Sequence, residues 1–267
     1  MYKAIAIDLD GTLLKDDKTI SNANLDAIQQ AQESGITLII ASGRPTYGVE
    51  PIAHTLQLER FGGFILAYNG GEIYECSTRK QLYANVLHRN TLPYIYHTAK
   101  NNGLEILTYH DRFVVSEDPQ NPYVQRSSRS NKMEIKVVNS FLDEVTYDIV
   151  KCMIVGDPDK LQHLEQEVAL KLSGVATVFR SEPFYLEIVP PYIDKGRCLA
   201  LLAAEIGIDC RNIMAFGDGY NDISMLETVG LGFAMDNAAE GVKQSAKHIA
   251  PSNEADGVAQ MIRKYCL

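Results

Sequence analysis

The sequence predicts an α/β protein in which a parallel sheet carries helices on both faces and a second, α+β segment is inserted into the chain. Short, continuous apolar runs occur in the first and last thirds of the chain, as expected for strands buried on both faces. Segments with helical spacing of apolar residues separate these runs, which is the order of a parallel sheet with crossover helices. In the middle third, strand-like runs are joined by gaps of hairpin length, which predicts antiparallel pairing.

In the first third, apolar runs predict three strands, over Ala4–Ile7, Ile36–Ala41 and Phe64–Tyr68. Ser21 is suited to cap a helix over Asn22–Glu33, because its hydroxyl oxygen can accept a hydrogen bond from the first helical turn. A further helix is predicted after Pro45, ending at about Leu58.

The last third repeats this order of elements. Its predicted strands are Ile213–Phe216, Leu231–Ala234 and His248–Ala250. Its predicted helices are Gly196–Ile206, a helix ending at about Thr228, Glu240–Ala246 and Ala255–Tyr265. Together with the first third, these elements predict a Rossmann-like core made of residues 1–81 and 190–267.

Residues 82–189 have a different pattern. The predicted strands are Leu104–Tyr109, Phe113–Ser116, Ile149–Val155, Val175–Phe179 and Phe184–Val189, and the predicted helices are Leu92–Asn101 and Lys160–Leu172. We expect an α+β unit, residues 82–189, inserted into the parallel core. The chain is expected to enter it through Asn69–Gln81 and to leave it through Pro190-Pro191-Tyr192.

Composition narrows the class of protein. The net charge is -9 and the pI about 5.2, which argues against a nucleic-acid partner because nucleic-acid binders present basic faces. The five cysteines are scattered and form no C-x-x-C pair, which is typical of reduced thiols. No apolar run approaches the length of a membrane span or a signal peptide. We therefore expect a cytoplasmic protein without a membrane partner, either a monomer or a small homo-oligomer.

Polar residues follow the apolar strands at the points where those strands end. They are Asp8 and Asp10 after the first strand, Ser42 and Arg44 after the second, Asn69 after the third, and Asp218, Asn221 and Asp222 after Ile213–Phe216. Lys195 opens the helix that restarts the core. Because ligands bind beyond the carboxyl ends of parallel strands, we expect these side chains to converge at one edge of the sheet.

Such a cluster suits phosphate chemistry. Neighbouring carboxylates repel one another, and Mg²⁺ resolves this because it binds a few carboxylates together with water and phosphate oxygens. Ser42, the Gly43 amide and Asn221 can donate hydrogen bonds to a phosphate, and Lys195 supplies positive charge. One carboxylate within reach of phosphorus could form an aspartyl-phosphate. A second, two residues on, could protonate the leaving oxygen and then activate water.

Four short motifs occur in order along the chain: Asp8-x-Asp10-Gly11-Thr12, Ser42-Gly43-Arg44, Asp194-Lys195-Gly196 and Gly217-Asp218-Gly219-Tyr220-Asn221-Asp222. They resemble the four motifs of the haloacid dehalogenase (HAD) superfamily. The insertion between the second and third motifs resembles the large α/β (C2B-type) cap of its Cof-type sugar-phosphatase branch. The resemblance covers the whole chain.

The resemblance implies a Mg²⁺-dependent phosphatase of small phosphorylated metabolites. Sugar phosphates are the expected substrates, and a phosphorylated cofactor such as pyridoxal phosphate or FMN is the alternative. It also implies that residues 82–189 form a cap domain that closes over the site and selects the substrate. It implies Asp8 as nucleophile and metal ligand, and Asp10 as general acid and base whose backbone carbonyl also binds the metal. The other implied residues are the metal ligands Asp218 and Asp222, the phosphate-binding Leu9 (through its backbone), Ser42, Gly43, Lys195 and Asn221, and the substrate-facing Arg44 and Asn69.

Other interpretations stay open from the sequence. The same core can act as a sugar phosphomutase, and a non-catalytic phosphometabolite-binding protein could keep the same acids around a metal. Ser42 could merely cap the following helix, although we expect it both to cap that helix and to bind phosphate, because a helix N-terminus is an anion site. Asp222 could complement a helix dipole, and Asn69 could simply form a turn. Asp236 stands where relatives commonly have glycine, in Met235-Asp236-Asn237-Ala238, and we expect it to affect only that loop.

Overall fold

The computed structural model describes residues 2–267, which form two compact units. One unit extends to Tyr83 and resumes at Asp194, and the other is Ala84–Ile193. The predicted domain boundaries, after residues 81 and 189, lie slightly earlier than these. At the first boundary, the reason is that the segment expected only to cross between domains forms two further strands of the first unit's sheet. That the second unit selects the substrate stays a prediction.

The strands and helices of residues 2–267 follow one another along the chain. The strands are β1 (Ala4–Ile7), β2 (Thr37–Ala41), β3 (Phe64–Ala67), β4 (Glu72–Glu75), β5 (Lys80–Ala84), β6 (Glu105–His110), β7 (Phe113–Ser116), β8 (Glu134–Val137), β9 (Cys152–Val155), β10 (Thr177–Glu182), β11 (Tyr185–Val189), β12 (Ile213–Gly217), β13 (Leu231–Met235) and β14 (His248–Ala250). The α-helices are α1 (Asn22–Glu33), α2 (Thr46–Thr55), α3 (Leu58–Phe61), α4 (Leu92–Asn101), α5 (Pro122–Asn131), α6 (Phe141–Glu144), α7 (Pro158–Lys171), α8 (Lys195–Glu205), α9 (Ile223–Thr228), α10 (Glu240–Ser245) and α11 (Gly257–Tyr265). Short 3₁₀ turns lie at Arg89–Thr91, Cys210–Asn212, Tyr220–Asp222 and Asn253–Ala255.

The sheet of the first unit has the order β14-β13-β12-β1-β2-β3-β4-β5. All pairs from β14 to β3 are parallel, and β4 runs antiparallel to β3. β1 lies between β12 and β2, with Ile5 opposite Met214 on one side and Leu38 on the other. The predicted parallel α/β core is confirmed.

Both faces of this sheet are covered, because successive side chains of a strand point to opposite faces. On one face, Ala4 and Ala6 belong to a buried cluster with residues of α8 and α9. On the other face, Phe216 stacks on Phe233 at 5.2 Å, and Phe233 lies 5.7 Å from Tyr265 of α11. This double burial explains why the strands read as continuous apolar runs.

The second unit contains a sheet of the order β10-β11-β9-β6-β7-β8. Its pairs are antiparallel except β7 with β8, which α5 connects as a parallel crossover. One face buries a cluster that includes residues of α4, α6 and α7. The α+β character of the insertion is confirmed, although the sequence reading missed α5, α6 and β8.

The helix predicted after Pro45 is wrong in one respect. α2 ends at Thr55, and Gln57 takes a left-handed conformation with a φ of 56° before the separate helix α3 begins. Among residues 2–267, no helix is both long enough and apolar enough to cross a bilayer.

Candidate active site

The sheet order determines where the motif residues meet. β12, β1, β2 and β3 are consecutive neighbours in the sheet and run parallel. Their carboxyl ends therefore lie side by side, and each is followed by one of the polar segments singled out in the sequence. The structure places these segments along a single edge of the first unit's sheet, where three groups of contacts form.

The first group is built on Lys195, a fully buried lysine. Its Nζ donates to Oδ1 of Asp8 at 2.7 Å and to Oδ1 of Asp222 at 2.6 Å. Asp194 caps α8 by accepting a hydrogen bond from the Arg197 amide, so that the helix begins at Lys195. Burial alone lowers the pKa of Lys195, but the two carboxylates outweigh it and raise the pKa above its usual range. Lys195 is therefore a fixed positive charge at neutral pH.

Asp8 lies in a charge environment that disfavours its ionised form. Burial, followed by repulsion from Asp222, raises the pKa of Asp8 to about 8, although Lys195 opposes the shift. Asp218 adds to the repulsion. An additional cation near these acids would relieve this cost.

The donor set fits a hard divalent cation. Carboxylate oxygens of Asp8, Asp218 and Asp222 lie within 4.8 Å of one another. Oxygen ligands of this kind suit Mg²⁺, which keeps part of its coordination shell for water and phosphate. Asp222 is the most heavily engaged of the three, because its Oδ2 also accepts hydrogen bonds from the backbone amides of Asp218 and Gly219 at 3.0 and 2.9 Å.

Thr12 holds Asp218 in place and Gly11 leaves room for it, two roles that the sequence did not predict. The buried Thr12 donates from Oγ1 to Oδ1 of Asp218 at 2.8 Å. Gly11 has a φ of +81°, and a Cβ at that position would lie only 2.3 Å from Oδ2 of Asp218. Glycine is therefore required there both by the backbone conformation and by the close approach of Asp218.

The second group surrounds Asp10. Arg44 donates from Nε to Oδ2 and from Nη2 to Oδ1, both at 2.7 Å, and Lys18 donates to Oδ1 at 2.9 Å. Partial burial acts to raise the pKa of Asp10, but these hydrogen bonds and charges lower it below its usual range. Asp10 is thus held ionised, which is the form that a general base requires. To act as a general acid, as predicted, its carboxylate must first lose the hydrogen bonds from Arg44 and take up a proton. Nothing in the sequence pattern marked Lys18.

The third group joins the loops after β2, β3 and β12. Nδ2 of Asn221 donates to Oδ1 of Asn69 at 2.9 Å. Ser42 is buried, and its Oγ accepts a hydrogen bond from the Arg44 amide at 3.2 Å. Pro45, and not Ser42, occupies the N-cap of α2, and within residues 2–267 no side chain caps that helix. The prediction that Ser42 caps the following helix, alone or together with phosphate binding, is therefore wrong, and its binding of phosphate stays a prediction.

Two further positions complete the site. Leu9, whose backbone is expected to bind phosphate, is fully buried. Asn237, which the sequence reading passed over, donates from Nδ2 to the Gly11 carbonyl at 2.8 Å. The neighbouring Asp236 is exposed and lies 3.7 Å from Lys243. Its extra charge is thus paired within its own region of the chain.

The raised pKa of Asp8 predicts a pH dependence of stability in metal-free protein. A raised pKa means that the folded state binds the proton more tightly than the unfolded state. The resulting stabilisation is complete below pH 3.8 and is lost as the pH rises through about 8. In EDTA, we expect the melting temperature of the wild type to fall over this range relative to Asp8→Asn. A difference in melting temperature between wild type and Asp8→Asn that stays constant across the pH range would contradict this expectation.

Comparison of this chain with known proteins finds hydrolases and phosphatases. A family model described as haloacid dehalogenase-like hydrolase matches residues 5–262. The crystal structure of a haloacid dehalogenase-like hydrolase from Bacteroides thetaiotaomicron is similar, with a TM-score of 0.96, 46% identity and 99% of each chain covered. The putative phosphatase YxeH of Bacillus subtilis is 32% identical over 100% of this chain and 99% of its own. The 5-amino-6-(5-phospho-D-ribitylamino)uracil phosphatase YcsE of Bacillus subtilis is 31% identical over 99% and 96%.

Proposed function

Since the chain belongs to the haloacid dehalogenase-like hydrolase family and is a Cof-type phosphatase within it, we propose that it hydrolyses phosphate monoesters of small metabolites with Mg²⁺, through an aspartyl-phosphate on Asp8. The observation that carries the proposal is the buried contact of Lys195 with both Asp8 and Asp222. A fixed lysine orients one oxygen of Asp8 and offsets charge beside it. This arrangement suits attack by the other oxygen on a phosphoryl group.

Asp8 is the proposed nucleophile. Its Oδ1 accepts the hydrogen bond from Lys195, whereas its Oδ2 accepts none from another side chain among residues 2–267. Oδ2 forms the new bond to phosphorus as the bond from phosphorus to the leaving oxygen breaks. Water then attacks the same phosphorus and regenerates the carboxylate, so that each turnover consumes one water and releases one alcohol and one phosphate.

Asp10 is the proposed proton carrier. It gives a proton to the leaving oxygen in the first step and removes one from the attacking water in the second. In the structure its carboxylate is paired with Arg44. We expect the anionic phosphate of the substrate to compete with Asp10 for this guanidinium, which would free Asp10 and raise its pKa.

The remaining motif residues bind the phosphoryl group and the cation. Ser42, Gly43, Asn221 and the Leu9 backbone would donate to phosphate oxygens, and Lys195 would balance their charge. Asp8, Asp218 and the backbone carbonyl of Asp10 would hold Mg²⁺, with Asp222 supporting them. When bound, Mg²⁺ supplies positive charge to the phosphoryl oxygens. That Arg44 and Asn69 face the substrate stays a prediction.

We propose a phosphorylated sugar or polyol as the substrate. YcsE, the relative named above, acts on a phosphorylated ribityl compound, in which the phosphate ends a polyhydroxylated chain. All five cysteines lie among the described residues and are free thiols, which supports the proposal of a cytoplasmic location.

The test is phosphate release from a panel of sugar phosphates, polyol phosphates and phosphorylated cofactors, with Mg²⁺ and with EDTA. We expect release from a few related compounds, lost in EDTA and restored by Mg²⁺. Conversion of a hexose-1-phosphate into its isomer without free phosphate would identify a phosphomutase instead. Inertness toward the whole panel and toward p-nitrophenyl phosphate would favour a non-catalytic binding protein.

A further inference from the structure

The loop between β3 and β4 has an unusual backbone. Tyr68, Asn69 and Gly70 are successive residues with positive φ, of 52°, 58° and 95°. Left-handed conformations are costly for residues with a side chain, and asparagine tolerates them better than tyrosine. Two such residues in succession persist only where surrounding contacts hold them.

Those contacts are with the loop that follows β2. The amide of Tyr68 donates to the Arg44 carbonyl at 3.0 Å, and the amide of Asn69 donates to the Ser42 carbonyl at 2.9 Å. The left-handed conformation therefore aims two consecutive amides at the Ser42-Gly43-Arg44 loop. At the far end of the hairpin loop, Glu72 accepts a hydrogen bond from the Thr46 hydroxyl at 2.5 Å.

The Asn69 side chain extends this contact to a second loop. Its Oδ1 accepts the hydrogen bond from Asn221 Nδ2 at 2.9 Å. The same oxygen lies over Gly43, since a Cβ placed on that glycine would be 3.1 Å from it. One residue thus contacts both loops to which phosphate binding is assigned above, the Ser42-Gly43-Arg44 loop through its backbone amide and Asn221 through its side chain.

We propose that Asn69 is a positioning residue that fixes Asn221 against the Ser42-Gly43-Arg44 loop, so that the hydrogen-bond donors of both loops converge on the phosphoryl group. The inference rests on the proposed function. An asparagine amide has two N–H donors, and the bond to Asn69 uses one of them. The other is left, in a fixed orientation, for a phosphate oxygen. Asn69 therefore acts through Asn221 and need not touch the substrate.

A double-mutant cycle tests this role. Asn69→Gly removes the side chain and keeps a residue that accepts positive φ. Asn221→Ala removes its partner. The readouts are the dissociation constant of orthovanadate in the presence of Mg²⁺, measured by calorimetry, and kcat/KM for the best substrate of the panel.

We expect each single variant to weaken orthovanadate binding and kcat/KM by about 10-fold or more, because small displacements of phosphate donors are costly. We expect the double variant to lose no more than about 3-fold beyond the worse single variant, as for residues that act as one unit. Losses that multiply would overturn the proposal, and so would binding by Asn69→Gly within about 2-fold of the wild type. Asn102→Gly, the same exchange at the C-cap of α4 in the second unit, should change neither readout.

Orthovanadate binding separates this inference from the proposed function. A wild-type protein that binds orthovanadate but hydrolyses no phosphate ester would contradict the proposed hydrolysis, and the cycle on binding would still decide the role of Asn69. A wild type that fails to bind orthovanadate would overturn both.

Discussion

Asp8→Asn is expected to lower kcat for phosphate release by about 10⁴-fold or more, as removal of an attacking group does in other enzymes that use covalent catalysis. The exchange keeps the size of the side chain, and the amide oxygen can still accept the hydrogen bond from Lys195 that Oδ1 accepts at 2.7 Å. What it removes is the negatively charged oxygen that attacks phosphorus. The loss should therefore appear in kcat, with little change in folding.

The measurement is phosphate release with Mg²⁺ by freshly purified wild type, Asp8→Asn and Asp26→Asn. Asp26 is an exposed residue of α1 in the same unit, so its exchange makes the same chemical change away from the site. Acid quenching of the wild type during turnover should yield a phosphorylated peptide that contains Asp8, and Asp8→Asn should yield none. Release by Asp8→Asn at more than a small fraction of the wild-type rate would refute Asp8 as nucleophile.

Lys195→Met is expected to damage both stability and catalysis. Lys195 is fully buried between Asp8 and Asp222, and methionine fills a similar volume without the charge. Removing the cation from this buried group should cost about 3–5 kcal/mol of the free energy of unfolding in metal-free protein above about pH 8, where Asp8 is ionised in the wild type. Loss of the positive charge beside the transferring phosphoryl group should lower kcat by about 10²–10³-fold.

Lys100→Met is a matched control for Lys195→Met. Lys100 also lies between two carboxylates, those of Glu105 and Glu117 at 2.8 and 2.9 Å, but it belongs to the second unit. Chemical denaturation and steady-state kinetics of both variants separate the two effects. We expect Lys100→Met to lower stability and to leave kcat near the wild-type value. A Lys195→Met protein with the wild-type kcat would show that its charge is not used in the reaction.

Much of the fold could be predicted from the sequence, because the local sequence pattern and the burial of each element favour the same secondary structure. Several predicted elements, such as Ala4–Ile7, Asn22–Glu33 and Phe113–Ser116, coincide with the observed β1, α1 and β7. In each, apolar residues recur with the spacing of the element, and Ser21 caps α1 by accepting a hydrogen bond from the Asn24 amide. Where local propensity and tertiary environment favour the same structure, sequence is sufficient.

The missed elements lack such signals. α5 is largely polar and buries only Val124 and Ser127, so its apolar stripe is too narrow to recognise. β8 is an edge strand with no fully buried residue, and its place in the sheet depends on pairing with β7. The sequence predicts only a connection where β4 and β5 lie, because this segment becomes part of the core sheet only through the pairing of β4 with β3.

The residues at the ends of the parallel strands could be predicted from the sequence, because continuous apolar runs locate the strands and the polar residues directly follow them. The pairing of these residues could not be predicted and is seen only in the folded chain: Asp8 pairs with Lys195, Asp10 with Arg44 and Lys18, Asp218 with Thr12, and Asn69 with Asn221. These partners come from distant parts of the chain; Asp8 and Lys195 are separated by 187 positions. The spacing of apolar residues along the sequence predicts the type of each element. The pairing of charged side chains depends instead on the sheet order and on the direction in which each loop leaves the sheet, and only the folded chain defines these.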